Sequence, residues 1–188
     1  YQNKNETDRG KKHIMWLKNK YDAIEDYHID LTSTYESIKN SIPIKLHNNL
    51  SLANTRARIR MSTLYLVAGG SKGIVVGTGN KIEDFGVGFY TKYGDGGVDI
   101  SPLADCTKTQ VWEMASEMSI IQDIIDAQPT DGLWDDSRND ESQLGLTYKQ
   151  IEEAMDNRDS KYYEKYIEIR KSNFHKMKPI PVCLFEDN

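Results

Sequence analysis

Residues 73–99 read GIVVGTGNKIEDFGVGFYTKYGDGGVD and contain the pattern that decides the fold. The stretch opens with the short apolar run 74–76, which is typical of a fully buried strand. Glycines follow at Gly77 and Gly79, where they permit tight turns and close approach of the backbone to a ligand. Because open α/β sheets bind ligands beyond the carboxyl ends of their strands, this order predicts an α/β fold with a ligand site after residue 76.

Charged side chains are concentrated in the rest of this stretch, at Glu83, Lys92, Asp95 and Asp99, without a repeating apolar face. Acidic and basic groups crowded after a buried strand are typical of a site for phosphate and metal. A surface loop that happens to be rich in turn residues has a similar composition, since loops also collect Gly and Asp. The pattern alone leaves both interpretations open.

Composition places the chain among ordinary globular proteins, with 188 residues, 38% hydrophobic and 28% charged. The net charge of −5 argues against nonspecific nucleic-acid binding, which requires a basic face. No apolar run approaches the roughly 20 residues that span a bilayer, and no signal-peptide pattern opens the chain. Only Cys106 and Cys183 occur, without CxxC spacing, so we expect reduced cysteines and a cytoplasmic location.

Hydrophobic periodicity predicts mostly helices, over residues 5–21, 32–40, 50–69 and about 160–174. Capping boxes are predicted at 107–110 and 147–150, where a threonine accepts from a backbone N–H and a glutamine reaches back. The helix that follows the first box is expected to bury Val111, Met114, Ala115 and Met118, which share one helical face.

Convincing strands are predicted only at 24–31 and 74–76. A doubly wound parallel sheet normally has about five or six strands. We therefore expect part of the sheet to lie outside these 188 residues.

Six ordered blocks make the pattern more specific: GTGNKIED, FYTKYGDGGVDISPL, TKTQVWEMASEM, QPTDGLW, NDESQLGLTY and the tail HK. Together they resemble the ammonia-dependent NAD synthetases, which are N-type ATP pyrophosphatases. The resemblance implies a three-layer Rossmann-like parallel sheet of the adenine nucleotide alpha hydrolase type, with residues 1–188 as a single NAD synthetase domain. The family's SGGxDS phosphate loop is not in this sequence. The chain is therefore expected to be the C-terminal two-thirds of the enzyme, and a polypeptide of residues 1–188 alone is expected not to form NAD.

The activity that the resemblance implies is amidation of deamido-NAD with ammonia, driven by ATP. The carboxylate would be adenylated first, and ammonia would then displace AMP after pyrophosphate has left. Such chemistry uses Mg²⁺ to neutralise charge on the phosphate oxygens. The family also implies a homodimer, and the short tail after Asn157 is similar to that of the stand-alone, ammonia-using members.

Site residues follow from the same resemblance, position by position. The implied magnesium ligand is Glu83. The implied ATP contacts are Thr78, Lys108 and Thr130. The implied contacts to deamido-NAD are Arg58, Lys92, Asp99, His175 and Lys176.

Each of these assignments has a simpler structural alternative. Glu83 is also suitable as a carboxylate that stabilises a helix start, and Lys108 as a solvated surface lysine. Asp95 either contacts substrate or only stabilises its GDGG turn. Residues 128–140 are predicted to form a mobile lid carrying an exposed Trp134, or else a connector between helices.

One departure from the family pattern lies between Glu83 and Lys92, where this chain is one residue longer than many bacterial members. A bulge at Gly86 or Gly88 is expected to absorb the extra residue. Which aromatic residue contacts substrate, Phe85, Phe89 or Tyr90, stays open as a consequence.

Two other functions are also compatible with the sequence. One is a different N-type ATP pyrophosphatase, such as a GMP- or asparagine-forming amidotransferase module, against which TKYGDGGVD and QPTDGLW argue. The other is a non-catalytic nucleotide-binding domain without a phosphate loop.

Overall fold

The computed structural model describes residues 4–134 and 138–185, and most of them are helical. The predicted helices are confirmed to within a few residues at each end. The elements are α1 (Lys4–Lys20), α2 (Thr32–Ser41), a 3₁₀ turn (Ile44–Leu46), α3 (Asn49–Gly70), a π-helical turn (Lys81–Val87), α4 (Lys108–Glu117), α5 (Gln122–Ile125), α6 (Asp140–Leu144), α7 (Tyr148–Asp156) and α8 (Tyr163–Met177). None of the helices in this described part combines the length and apolar character needed to cross a membrane.

The strand prediction for residues 24–31 is wrong, because this segment has no regular structure. The predicted strand at 74–76 is reduced to a single parallel bridge between Val76 and Ile100, the one bridge among the described residues. Backbone groups of a strand need a neighbouring strand to pair with, so alternating side chains are not sufficient to form one. The parallel sheet is therefore represented here by one bridge.

The main core lies where α7, α8 and the π-helical turn pack together. Its buried apolar side chains come from four elements and the loop between α6 and α7. Trp112 of α4 packs against this core with its ring at a steep angle to Tyr148, the centroids 5.9 Å apart. The buried members are Ile82, Val87, Leu144, Leu146, Tyr148, Ile151, Ala154 and Tyr166.

The capping box at the start of α4 is confirmed: Gln110 N donates to Thr107 Oγ, and Thr107 N donates to Gln110 Oε1. The predicted buried face of this helix is wrong in part, since Met114 and Met118 are 37% and 53% exposed. Trp112, on another side of the helix, makes the core contact instead. Apolar spacing identifies a face but not whether another element covers it.

Residues Lys81–Val87 form the π-helical turn, which places one more residue in its turn than an α-helix does. The turn ends at Gly88, which has a left-handed backbone with φ +65°. A Cβ at this position would lie 2.8 Å from Asn173 Cβ. That Gly86 or Gly88 absorbs an extra residue relative to bacterial members stays a prediction, and the left-handed backbone at Gly88 is compatible with it.

Candidate functional site

A buried polar cluster surrounds the Glu83 carboxylate at the centre of the π-helical turn. Lys108 Nζ donates to Glu83 Oε1 at 2.9 Å, and the Tyr148 hydroxyl donates to the same oxygen at 2.6 Å. The Lys108 and Glu83 side chains are only 17% and 16% exposed. The structure thus brings together two residues that the sequence assigned separately to magnesium and ATP.

Asp140 extends this cluster from the other side of Tyr148. Its Oδ2 lies 3.1 Å from the Tyr148 hydroxyl, and its side chain is buried. Burial, together with the nearby charge of Glu83, raises the pKa of Asp140 to about 6. A phenol has one hydrogen, so both Tyr148 contacts are hydrogen bonds only when one of the two acids carries a proton, and the raised pKa of Asp140 suits it to that role.

Local capping interactions place these side chains. Asn80 accepts from the backbone N–H groups of Ile82 and Glu83, which fixes the start of the π-helical turn. Thr107 and Thr147 cap α4 and α7, so Lys108 and Tyr148 each occupy the first position of a capped helix. The N-termini of the π-helical turn, α4 and α7 therefore all contribute to the surroundings of the Glu83 carboxylate.

Asp84 lies next to Glu83 and is packed against Gly79. A Cβ on Gly79 would lie 2.0 Å from an Asp84 carboxylate oxygen, so the glycine is needed for the close approach. Burial and the neighbouring Glu83 charge raise the pKa of Asp84 to about 7. Acidic groups are thus crowded around the π-helical turn.

A second group of candidate residues lies where the TKYGDGG turn packs on α3. Arg58 Nε donates to the Lys92 carbonyl at 3.2 Å. The Thr91 hydroxyl donates to Asn54 Oδ1 at 2.8 Å. Two of the residues that the resemblance assigns to substrate, Arg58 and Lys92, are therefore neighbours.

Lys176 joins this second group from the end of α8. Its Nζ donates to the Tyr90 carbonyl at 2.8 Å, and the Tyr90 hydroxyl donates to the Lys176 carbonyl at 2.5 Å. Burial lowers the pKa of Lys176, opposed by the attraction of Asp95. Asp95 itself accepts from Thr91 N at 3.0 Å, which is the turn-stabilising contact expected of Asp before Gly.

Three other candidates lie apart from both groups. Asp99 Oδ2 accepts from Val75 N at 2.7 Å and so supports the single bridge of the sheet. Thr78 and His175 are exposed to solvent. Their assignments remain predictions that follow from the resemblance.

The described part of the predicted lid, residues 128–134 and 138–140, is attached to α3. Arg56 Nη1 donates to the Leu133 carbonyl at 2.6 Å, and Arg60 Nη2 donates to the Gly132 carbonyl at 3.2 Å. Trp134 is half-buried against the same helix, contrary to the exposed position that the sequence predicted. Residues 135–137 of the predicted lid lie outside the described residues.

Thr130 bonds within this loop, donating from its hydroxyl to the Arg138 carbonyl at 3.1 Å. Asp140 N donates to the Pro129 carbonyl at 3.0 Å, which closes the loop at its base. Because Asp140 also contacts Tyr148, the loop is connected to the cluster around Glu83.

Sequence reasoning did not identify Tyr148 and Asp140 as members of the site. Both lie in the block NDESQLGLTY, and the capping box at Thr147 marks Tyr148 as the first residue of a helix. That signal locates the residue along the chain but does not reveal its contact with Glu83, 65 positions away.

Glu83 and Lys108 lie with a glycine-rich turn that follows the parallel bridge, the place where α/β proteins bind their ligands. The chain belongs to the NAD synthase family, whose model matches residues 2–180. It is 40% identical over 144 residues to the NH(3)-dependent NAD(+) synthetase of Alkaliphilus oremlandii, covering 71% of this chain and 56% of that protein. It is 44% identical over 119 residues to the synthetase of Carboxydothermus hydrogenoformans, covering 63% of this chain and 48% of that protein.

Solved structures support the same relationship. The NMN synthetase of Francisella tularensis superposes with a TM-score of 0.88 at 30% identity, covering 98% of this chain and 75% of that one. The NH3-dependent NAD synthetase of Campylobacter jejuni gives a TM-score of 0.63 at 22% identity, covering 83% and 64%, and shares the fold. The chain spans about half the length of the curated relatives that it matches.

Proposed function

We propose that the protein containing this chain is a ligase that amidates deamido-NAD with ammonia, using ATP and releasing AMP and pyrophosphate. The observation that carries the proposal is membership of the NAD synthase family over residues 2–180. Curated members with about 40% identity are named for this activity. Membership argues against a GMP- or asparagine-forming module and, because the family is that of a synthase, against a domain without catalysis.

The residues around Glu83 have the chemistry that a hard cation requires. Both hydrogen bonds to this carboxylate fall on Oε1, so in the described part of the chain Oε2 is the oxygen left for a metal. Mg²⁺ usually takes only one or two protein carboxylates when phosphates supply other ligands. When bound, Mg²⁺ would neutralise the charge that develops on the leaving pyrophosphate.

Lys108 is the residue of this chain placed to act on ATP. In the structure its ammonium group is paired with Glu83. With Glu83 Oε2 holding a metal, the Lys108 ammonium group on Oε1 would lie close enough to donate to a phosphate group as well. Thr78 and Thr130 are proposed to contact ATP as well, on the strength of the family resemblance.

The TKYGDGG turn and the end of α8 are proposed to hold the dinucleotide, through Arg58, Lys92, Asp99, His175 and Lys176. A guanidinium suits a pyrophosphate because it donates two parallel bonds. These residues would orient the nicotinate carboxylate for adenylation and exclude water from the acyl-adenylate.

The architecture of the protein is proposed to be a single domain with a three-layer α/β fold around a parallel sheet. A homodimer is proposed as the working form, in a cytoplasmic location. The parallel bridge between Val76 and Ile100 supports the sheet. Exposed apolar residues on several sides of α3, including Leu50, Leu64 and Leu66, support an additional partner for that helix.

A second candidate activity differs in substrate size. The Francisella tularensis structure with a TM-score of 0.88 is named an NMN synthetase. Amide formation on nicotinate mononucleotide would use the same adenylation chemistry on a substrate that lacks the second nucleotide of deamido-NAD. Comparison of kcat/KM for nicotinate mononucleotide and for deamido-NAD decides between the two.

The experiment that tests the main proposal measures products of the full-length protein. Deamido-NAD, ATP, ammonium and Mg²⁺ are expected to yield NAD, AMP and pyrophosphate in equal amounts. Release of ADP and phosphate would contradict adenylation, and no turnover of either nicotinate nucleotide would contradict the activity.

A further inference from the structure

The Tyr148 hydroxyl occupies a special position between two acidic side chains. It lies 2.6 Å from Glu83 Oε1 and 3.1 Å from Asp140 Oδ2. The tyrosine is 1% exposed and Asp140 is 6% exposed, so water does not compete for these contacts. The orientation of the hydroxyl is therefore determined by the two acids.

Packing alone does not account for an acid at position 140. Among the described residues, Asp140 Oδ1 has no hydrogen-bond partner although it is buried. Leaving a buried carboxyl oxygen without a partner is unfavourable, and an apolar residue of similar size would avoid that penalty. Tyr166, a second buried tyrosine of the same core, packs its ring against the ring of Tyr163.

Tyr148 also supports the second member of the site. Lys108 Nζ lies 4.9 Å from the centroid of the Tyr148 ring, within the range of a cation–π contact. One side chain therefore contacts both Glu83 and Lys108, with its hydroxyl on the carboxylate and its ring face under the ammonium group. A change in the rotamer of Tyr148 would displace both.

We propose that Tyr148 and Asp140 are positioning residues that fix the Glu83 carboxylate for a divalent cation. Tyr148 holds Oε1, which restricts rotation of the carboxylate and keeps Oε2 in one place. Asp140 restricts rotation of the Tyr148 hydroxyl. This inference rests on the proposed function, in which Glu83 is the magnesium ligand.

The test uses the full-length protein and measures the affinity for Mg²⁺ directly, by calorimetric titration of the ATP-bound protein without deamido-NAD, together with the Mg²⁺ concentration that gives half-maximal activity. Removal of the hydroxyl in Tyr148→Phe is expected to raise this concentration roughly ten- to a hundredfold, as for other groups that orient a metal ligand. Asp140→Ala is expected to have a similar effect. Asp140→Asn is expected to remain close to wild type, because an amide keeps both a donor and an acceptor within reach of the phenol hydroxyl.

Two controls separate positioning from folding. Tyr166→Phe alters a buried tyrosine of the same core and is expected to leave the Mg²⁺ requirement unchanged. The Mg²⁺ concentration at half-maximal activity does not depend on how much of the protein is folded. A merely structural role would therefore reduce the active fraction and the melting temperature but leave that Mg²⁺ concentration unchanged.

The outcomes distinguish this inference from the proposed function. If Glu83→Gln changes the Mg²⁺ requirement whereas Tyr148→Phe and Asp140→Ala do not, the positioning role is wrong and the metal site stands. If Glu83→Gln also has no effect, the metal assignment itself fails. A raised requirement in Asp140→Asn equal to that in Asp140→Ala would contradict the role of the hydrogen bond.

Discussion

At the scale of single residues, Glu83 is the carboxylate that accepts hydrogen bonds from both Lys108 and Tyr148. Glu83→Gln keeps the size of the side chain but removes its charge, so it weakens both the Lys108 pair and any metal contact. We expect the turnover of the full-length protein to fall on the order of a hundredfold or more, beyond the effect of residues that only orient a ligand. Steady-state rates over a range of Mg²⁺ concentrations measure this, with far-UV circular dichroism to check the fold.

Glu164→Gln is a matched control, because Glu164 is exposed on α8 and its loss leaves the cluster intact. An unchanged magnesium dependence in Glu83→Gln would show that the carboxylate only stabilises the start of the π-helical turn.

Asp140 gives a prediction about pH. Burial raises its pKa to about 6, whereas the same carboxyl group has a pKa near 3.8 in the unfolded chain. A raised carboxyl pKa contributes stability that is fully present below the unfolded pKa and is lost as pH rises through the folded pKa. We expect wild type to lose on the order of 2–3 kcal/mol between about pH 4 and pH 6 from this group.

Asp140→Asn does not titrate and should lack that loss. Urea unfolding of both proteins without magnesium or nucleotide, at steps of pH from 4 to 8, measures the difference. Parallel pH profiles for wild type and variant would contradict the raised pKa.

At the scale of elements, the π-helical turn depends on Gly88. Alanine at this position would adopt φ +65° and place its Cβ 2.8 Å from Asn173 Cβ. Left-handed backbone costs about 1–2 kcal/mol for a non-glycine residue, and overpacking typically adds about 1–3 kcal/mol. We expect Gly88→Ala to lower the free energy of unfolding by roughly 2–5 kcal/mol, measured by chemical denaturation.

Gly145→Ala is the control for the backbone term alone, since Gly145 has φ +70° and no atom within 4 Å of the added Cβ. It is expected to cost only about 1–2 kcal/mol. An equal loss of unfolding free energy in Gly88→Ala and Gly145→Ala would mean that α8 moves away from the added Cβ at no cost.

The loop that carries Thr130 gives a further prediction. Thr130→Ala is expected to weaken ATP binding more than binding of deamido-NAD, because the proposed contact lies on the nucleotide side. The hydroxyl also bonds within its own loop, so a purely structural role would weaken both ligands equally. Separate titrations of the two ligands measure this, and Trp134 fluorescence reports any movement of the loop on binding.

Local features of these elements were predictable from the sequence, whereas long-range ones were not. The capping boxes at Thr107 and Thr147 were predicted because their partners lie three residues away. The strand at 24–31 was not formed because a strand depends on a partner elsewhere. The contact between Tyr148 and Glu83 was missed for the same reason, since spacing along the chain does not encode a bond between two separate elements.

At the scale of the whole molecule, α3 carries both a proposed substrate residue and the apolar surface of the proposed dimer. A groove between α2 and α3 is lined by Ile38, Ile59, Leu66 and also Arg58, a proposed substrate residue. Leu66 is 75% exposed, and a helix that is apolar on several sides usually buries each of them. A homodimer that covers this groove would place the substrate close to the interface.

Leu66→Asp is therefore expected to shift a micromolar sample from dimer to monomer in sedimentation velocity, because a charge would be buried in the interface. It is also expected to raise KM for deamido-NAD more than KM for ATP, since Arg58 lies in the same groove. Leu184→Asp is a suitable control, as Leu184 is 83% exposed near the end of the described chain and away from α3. A wild-type protein that sediments strictly as a monomer at micromolar concentration would contradict the dimer. A dimeric Leu66→Asp variant with an unchanged KM would instead place the interface on a different face.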